Sequence, residues 1–364
     1  MTPTHRLTAP TRTQWSLRTR HLSHRRLSST HAHLLTSLPS RRLPIIYDDL
    51  VPMPSYRLTQ SLSAFLPHAW ASTASTSRDS VPPTRPAPLP PAHHLVYFNP
   101  AIAADGLLKD GTDPLQSPGK PGGEAGEGEG RGIVMDRRRW ACVERVRDVN
   151  IKGVEGDEKV YVGIERRFGA VKEDGREGEE SLRRRLLTEV EEEWGDAELV
   201  ERRNLVFMRE RSAEEAAKAA AEARTKKALV AQNLPTVFHK LIPTPSLLFR
   251  YSALTFNAHA IHLDPQYCRA IEGHRNLLVH GPLSFTLLVT MLYQHLQHVS
   301  SSTSAPQPRI FSVQYRNLAP LYVNEPMKLC AREVPDALEP GRWELWVENP
   351  DGGMAVKGTA KTRV

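Results

Sequence analysis

The segment Phe249-Arg-Tyr-Ser-Ala-Leu-Thr-Phe-Asn-Ala-His-Ala-Ile-His262 sets three side chains able to handle protons or water close together: Asn257, His259 and His262. Imidazole titrates near neutrality and both takes and gives a proton, so His262 is the candidate general acid–base group. Asn257 stands five positions earlier. An amide cannot act as a base, but it can hold a water or a hydroxyl by hydrogen bonds. Downstream, Val279-His-Gly-Pro-Leu283 opens a long apolar run. Proline suits the first turn of a helix, the N–H groups there lack partners, and a glycine at 281 admits close approach to its backbone. The same wording also fits a plain helix-entry turn. His259, His262 and Asp264 have spacings a metal ion would accept, but no fourth ligand is suggested, so neither a metal nor a cofactor is expected.

These groups need elements to position them. The run Leu283 to Leu296 is apolar on all sides and predicts a helix buried in a core. Leu247 to Tyr251 reads as strand-like. Arg309 to Leu318, Tyr322 to Glu333, Trp343 to Glu348 and Met354 to Thr362 predict four more strands, with Pro and Gly turns between them. Upstream, Trp140 to Val149, Val160 to Glu165 and Glu198 to Phe207 are rich in β-branched and aromatic residues and predict an antiparallel sheet. Leu95 to Pro100 reads as a short strand with a turn. Lys172 to Glu193 is charged and reads as a solvated insertion or surface helix. Ser212 to Arg224 has high helix propensity with a capping box from Ser212 to Glu215, and suits a linker. The Pro-rich stretch 71–94 reads as a loop, and Gly119 to Gly130 is too rich in glycine to pack. These patterns alone indicate an α+β chain of two domains.

The wording Ser252-Ala-Leu-Thr-Phe-Asn257, Ile261-His-Leu-Asp264 and Val279-His-Gly281 resembles the active-site signature of the MaoC-like hot-dog hydratases and dehydratases. Within that family it is similar to the fungal mitochondrial hydroxyacyl-thioester dehydratase type 2 branch and the mesaconyl-CoA hydratases. The resemblance covers most of residues 46–364. It implies a double hot-dog fold: a degenerate first unit at 46–211, a helical linker at 212–234 and a catalytic second unit at 235–364. It also implies a hydro-lyase, a 3-hydroxyacyl-thioester dehydratase, whose substrates ride on acyl carrier protein or CoA. His262 would then carry the proton, Asn257 would hold the reacting oxygen, and His259 would assist where the wider signature often has Asn. The Gly281 N–H would meet the thioester carbonyl. Beside the motif, Phe256 is the candidate wall of the substrate site, and Arg250, Arg269 and Arg275, clustered near it in sequence, are candidates to meet the phosphopantetheine arm or an acidic carrier. The usual residue at the place of Asn257 is Asp, a departure that bears on mechanism. Two other readings stay open: a mesaconyl-CoA-type hydratase, which needs an extra cation in its pocket, and a non-catalytic thioester-binding scaffold. A second copy of the chain is a candidate partner.

Composition narrows the setting. The 364 residues carry a net charge of +7, and eight arginines lie before the first acidic residue, Asp48. The excess positive charge thus belongs to the N-terminal stretch, and the remainder gives no electrostatic case for nucleic acid. An arginine-rich, acid-free, Ser/Thr-rich start predicts a mitochondrial presequence at 1–45 and a matrix location. No apolar run is long enough to predict a transmembrane segment. Cys142, Cys268 and Cys330 are widely spaced and read as reduced thiols.

Overall fold

The computed structural model describes residues 32–67, 81–112, 122–124, 132–153, 158–172, 177–188, 190, 193–208, 212, 214–215, 218, 228–303, 306–335 and 340–364. In the first half, α1 (Leu34–Ser37) leads into β1 (Ile46–Asp49), α2 (Pro52–Leu62), β2 (Ala87–Pro88), β3 (Gly122–Glu124), β4 (Val134–Met135), β5 (Arg139–Lys152), β6 (Lys159–Ala170), α3 (Glu179–Leu186) and β7 (Leu199–Met208). The second half holds β8 (Val237–Leu241), α4 (Pro245–Leu254), α5 (Pro265–Ala270), α6 (Gly281–Thr303), β9 (Arg309–Asn317), β10 (Met327–Glu333), β11 (Arg342–Glu348) and β12 (Met354–Arg363). One antiparallel sheet runs β1-β5-β6-β7, a second runs β3-β9-β12-β11-β10-β8, and β2 pairs with β4. Each large sheet packs against a helix, α2 in the first unit and α6 in the second. This is the double hot-dog arrangement, of class α+β.

The second unit has the stronger centre. Leu283, Leu287, Leu288 and Leu292 of α6 are all fully buried, each worth about 1.5–3 kcal/mol of transfer free energy. They share one cluster with Leu329, Leu345 and Val347 of the second sheet and with Leu58, Trp140 and Phe168 of the first unit, so a single core joins the two halves. In the first sheet, β5 splits its side chains by strand alternation. Trp140 and Cys142 enter that common core, whereas Ala141 and Val143 meet Leu182 and Leu186 of α3. Both faces of this sheet are therefore covered.

Several expectations change. Leu247 to Tyr251 lies in helix α4, because the Thr244 side chain caps its first turn and Pro245 pre-sets the helical φ. Leu95 falls in the 3-10 turn His93–Val96, and Phe98 at φ 54° cannot continue a strand. Within 172–193 the helix of the two readings forms, as α3, but it is not merely solvated: it buries Leu182 and Leu186 against the sheet. Gly122–Glu124 of the glycine-rich stretch adds an edge strand to β9, for which backbone N–H and C=O groups suffice. Strand β10 starts at Met327, five residues later than expected, after Asn324 at φ 63°.

The boundary expected at 45 falls inside packed chain: Leu43 is buried beside Val146 and Val162, with Leu34 and Leu38 against the same cluster. The capping box is formed, Glu215 N–H to Ser212 Oγ at 3.2 Å and Ser212 N–H to Glu215 Oε2 at 2.9 Å. Residues 219–227 of that linker, 1–31 of the leader, 71–80 of the Pro-rich stretch and most of 119–130 lie outside the described residues. All three cysteines are free and buried. No described helix is long and apolar enough to cross a membrane.

Candidate active site

Helix α4 delivers the motif. It ends at Thr255, and Phe256 adopts the left-handed φ of 51° that turns the chain back. The Asn257 N–H then donates to Ser252 O at 2.8 Å. Its side-chain Oδ1 accepts from the His259 N–H at 3.0 Å, an Asx turn that leads into the 3-10 turn Ala260–His262. With the carbonyl end so committed, the Nδ2 amide is the end left for a ligand, as a donor. Asp264 caps α5 by accepting from the Gln266 and Tyr267 N–H groups at 2.7 and 3.0 Å.

Three imidazoles gather behind this turn. His262 Nδ1 lies 2.8 Å from Leu278 O, which fixes the proton on Nδ1 and leaves the lone pair on Nε2. Its ring stacks on that of His280, with centroids 3.6 Å apart and planes at 22°. His259 meets His262 edge-on at 5.7 Å. Burial pushes the His262 pKa down to about 3, against the opposing pull of the Leu278 carbonyl. His280 is held well below its ordinary value by burial and by its two imidazole neighbours. His259 is lowered by burial, with Asp110 opposing. All three rings are therefore neutral at neutral pH, and His262 Nε2 is an acceptor. His280 Nε2 lies 2.9 Å from Ser252 Oγ, which locks the second ring beneath the first.

A cavity of about 710 Å³ opens on these groups. Asn257, His262, His280, Gly281, Ser252 and Phe256 all line it. Gly281 opens α6, so its N–H belongs to the unpaired first turn. Phe256, 65% exposed, stands at the rim. Two expected residues lie elsewhere. His259 is buried behind His262 and outside the lining, and Arg250 lies on the exposed face of α4, where helical periodicity turns it away while its neighbour Phe249 reaches the cavity.

The first unit supplies the opposite wall, which sequence reasoning missed. Leu95, Ile102 and Leu107 contribute apolar surface, and the sheet contributes Glu144, Arg166, Glu201 and Arg203. Arg166 is 1% exposed; its Nε donates to Glu144 at 2.6 Å, Nη1 to Glu201 at 3.1 Å and Nη2 to Phe98 O at 2.9 Å. Arg203 holds Glu201 through two bonds, at 2.7 and 3.0 Å. The available signal was charge at inward positions of otherwise apolar strands. Asp110 was missed because it is remote from the motif in sequence.

Residues 92–323 match the family described as hydroxyacyl-thioester dehydratase type 2. The chain is similar to the mesaconyl-C(4)-CoA hydratase of Chloroflexus aurantiacus, 40% identical over 121 residues, which cover 33% of this chain and 38% of that protein. It is also similar to the mitochondrial hydroxyacyl-thioester dehydratase type 2 of Schizosaccharomyces pombe, 36% identical over 108 residues, which cover 30% of this chain and 34% of that protein. The matched segments thus span little more than a third of these relatives. Among solved structures, a MaoC-like dehydratase from Phytophthora capsici shares the fold with a TM-score of 0.55 at 9% identity, covering 90% of this chain and 97% of that one.

Proposed function

The chain belongs to the hydroxyacyl-thioester dehydratase type 2 family, and from that premise we propose that it is a hydro-lyase interconverting 3-hydroxyacyl and trans-2-enoyl thioesters. The observation that carries this reading is the convergence of a neutral imidazole acceptor, an amide donor and an unpaired helix-start N–H on one cavity with apolar surface. Dehydration needs three things: a base for the α-proton, a proton for the departing hydroxyl, and donors for the negative charge that grows on the thioester oxygen. His262 Nε2 takes the α-proton and returns it to the hydroxyl, which the Asn257 amide holds. The Gly281 N–H meets the thioester oxygen. One group serving as both base and acid is the consequence of an amide at position 257. Apolar Leu95, Ile102 and Leu107 accommodate acyl carbon. Arg250, outside the cavity, is left to contact the carrier beyond the thioester, whether acyl carrier protein or CoA. The proposed units are a first one that begins ahead of residue 46, since Leu34, Leu38 and Leu43 pack on its sheet, and ends at 211, and a second at 235–364, with the helical linker between them.

Mitochondrial fatty acid synthesis in the matrix is the proposed setting, supported by the arginine-rich start and by the mitochondrial S. pombe relative. Since Leu34 packs on the fold, the leader is the stretch before it. Fused to a reporter, residues 1–33 should deliver it to mitochondria; a wholly cytosolic signal would remove the setting without touching the chemistry.

A second reading, a hydratase for a dicarboxylyl-CoA such as mesaconyl-CoA, is favoured by Arg166 and Arg203 on the cavity wall, the cations such a carboxylate would require. Glu144 and Glu201 balance them, which keeps this reading second. Purified protein assayed for hydration of crotonyl-CoA and mesaconyl-CoA separates the cases. Crotonyl-CoA turnover at least equal to mesaconyl-CoA turnover is expected. A reversed preference selects the dicarboxylyl substrate, and failure on both leaves a thioester-binding scaffold.

A further inference from the structure

Hydration through His262 makes a transient imidazolium inside a buried set of three imidazoles. As water oxygen bonds to C3 of the enoyl thioester, its proton goes to Nε2; the same proton then passes to C2, so substrate plus water equals product. A buried cation without a counter-charge is costly. Asn257, the other polar head at the site, is an amide and brings no such charge.

We propose that Asp110 of the first unit is the positioning residue that supplies this charge in space, acting through His259; the inference rests on the hydro-lyase reading above. Its Oδ2 lies 3.5 Å from His259 Nε2. Its Oδ1 is aimed by the Thr112 N–H and hydroxyl, at 3.0 and 2.6 Å, with Thr112 only 2% exposed. Its backbone carbonyl accepts from the Ala260 N–H at 2.8 Å, so the loop is docked on the catalytic turn itself. Gly111 makes that docking feasible. It sits at φ +80°, and a Cβ there would meet Ala258 O at 2.2 Å.

The groups facing His259 are Asp110, the His262 ring edge and, at longer range, Glu272. His262 is faced by His259, the stacked His280 and the Leu278 carbonyl. Among the described residues, Asp110 is thus the carboxylate in contact with the three imidazoles. From the Nε2 edge of His259 it places a negative charge behind the ring pair, where it favours a protonated His262 during turnover. It touches neither substrate nor cavity.

The test is a cycle of variants of the full chain, read by crotonyl-CoA hydration. Asp110→Asn keeps the Oδ1 acceptor and the backbone carbonyl and removes only the charge. It should lower kcat about 10–100-fold, at the lower end of what an acid–base partner contributes, with KM within about twofold. Asn257→Asp, which puts a carboxylate at the site and still accepts from the His259 N–H, should recover most of that loss in the Asp110→Asn background. Asp110→Ser serves the same purpose if Asp110→Asn does not fold. Parent-like kcat in a folded Asp110 variant, or an equal loss with and without Asn257→Asp, overturns the inference while leaving the hydro-lyase reading intact. An inactive parent overturns both.

Discussion

Replacing His262 with alanine is expected to lower crotonyl-CoA hydration by ~10²–10⁴-fold, the range for removal of a general acid–base group. Its Nδ1 is committed to Leu278 O, so proton traffic has one route, Nε2, which faces the cavity. Its neighbours do not duplicate that role: Asn257 is an amide, and the His280 Nε2 is taken up by Ser252 at 2.9 Å, while His274, another imidazole of the lining, has its Nδ1 3.1 Å from the Tyr322 hydroxyl. Asn257→Ala should cost less, because it removes one donor and the acceptor of the Asx turn. Asn257→Asp should retain or raise activity, since its carboxylate can still accept the His259 N–H. Steady-state kinetics on each variant, with a thermal melt to verify folding, checks the set. Turnover of His262→Ala within a few-fold of the parent overturns the assignment.

Truncating Arg166 to alanine is expected to destabilise the fold by about 3–5 kcal/mol, the cost of breaking a buried ion pair from one side. The guanidinium is 1% exposed and donates to Glu144, Glu201 and the Phe98 carbonyl, and it lies 5.1 Å from the centroid of the Phe168 ring. The surrounding carboxylates hold it charged, its pKa raised above the usual arginine value despite burial. Removing it leaves Glu144, 6% exposed, facing a cavity without that cation, whereas Glu201 keeps Arg203. The double change Arg166→Met with Glu144→Leu should recover most of the loss, because apolar groups of similar volume avoid the desolvation of both charges. Denaturant unfolding measures this directly. A loss below about 1 kcal/mol for Arg166→Ala would mean the network is solvated and energetically slight.

What the order of residues determined was whatever depends on neighbours in the chain. The apolar run from Leu283 predicts its buried helix because a helix that is apolar all round has nowhere else to go, and α6 begins at Gly281 as the Gly-Pro pair indicates. The β-branched runs found their strands in β5, β6, β7, β9, β11 and β12 for the same local reason. Asn257 and His262 fall on one cavity because the turn between them is short and closed by its own Asx hydrogen bond. Local pattern failed where a cap or a left-handed residue overrode it, at Thr244 and Phe98.

Only the tertiary structure decided which partners come from afar. Asp110 reaches the catalytic turn across 149 positions to His259, and Glu144, Arg166 and Glu201 meet on neighbouring strands whose register sets opposite residues together. The face of α4 that Arg250 occupies, and the stacking of His280 on His262, were likewise settled by packing. Contacts of this kind are fixed by how two units dock over one core, and the free energy that selects that docking is spread over residues with no spacing in common.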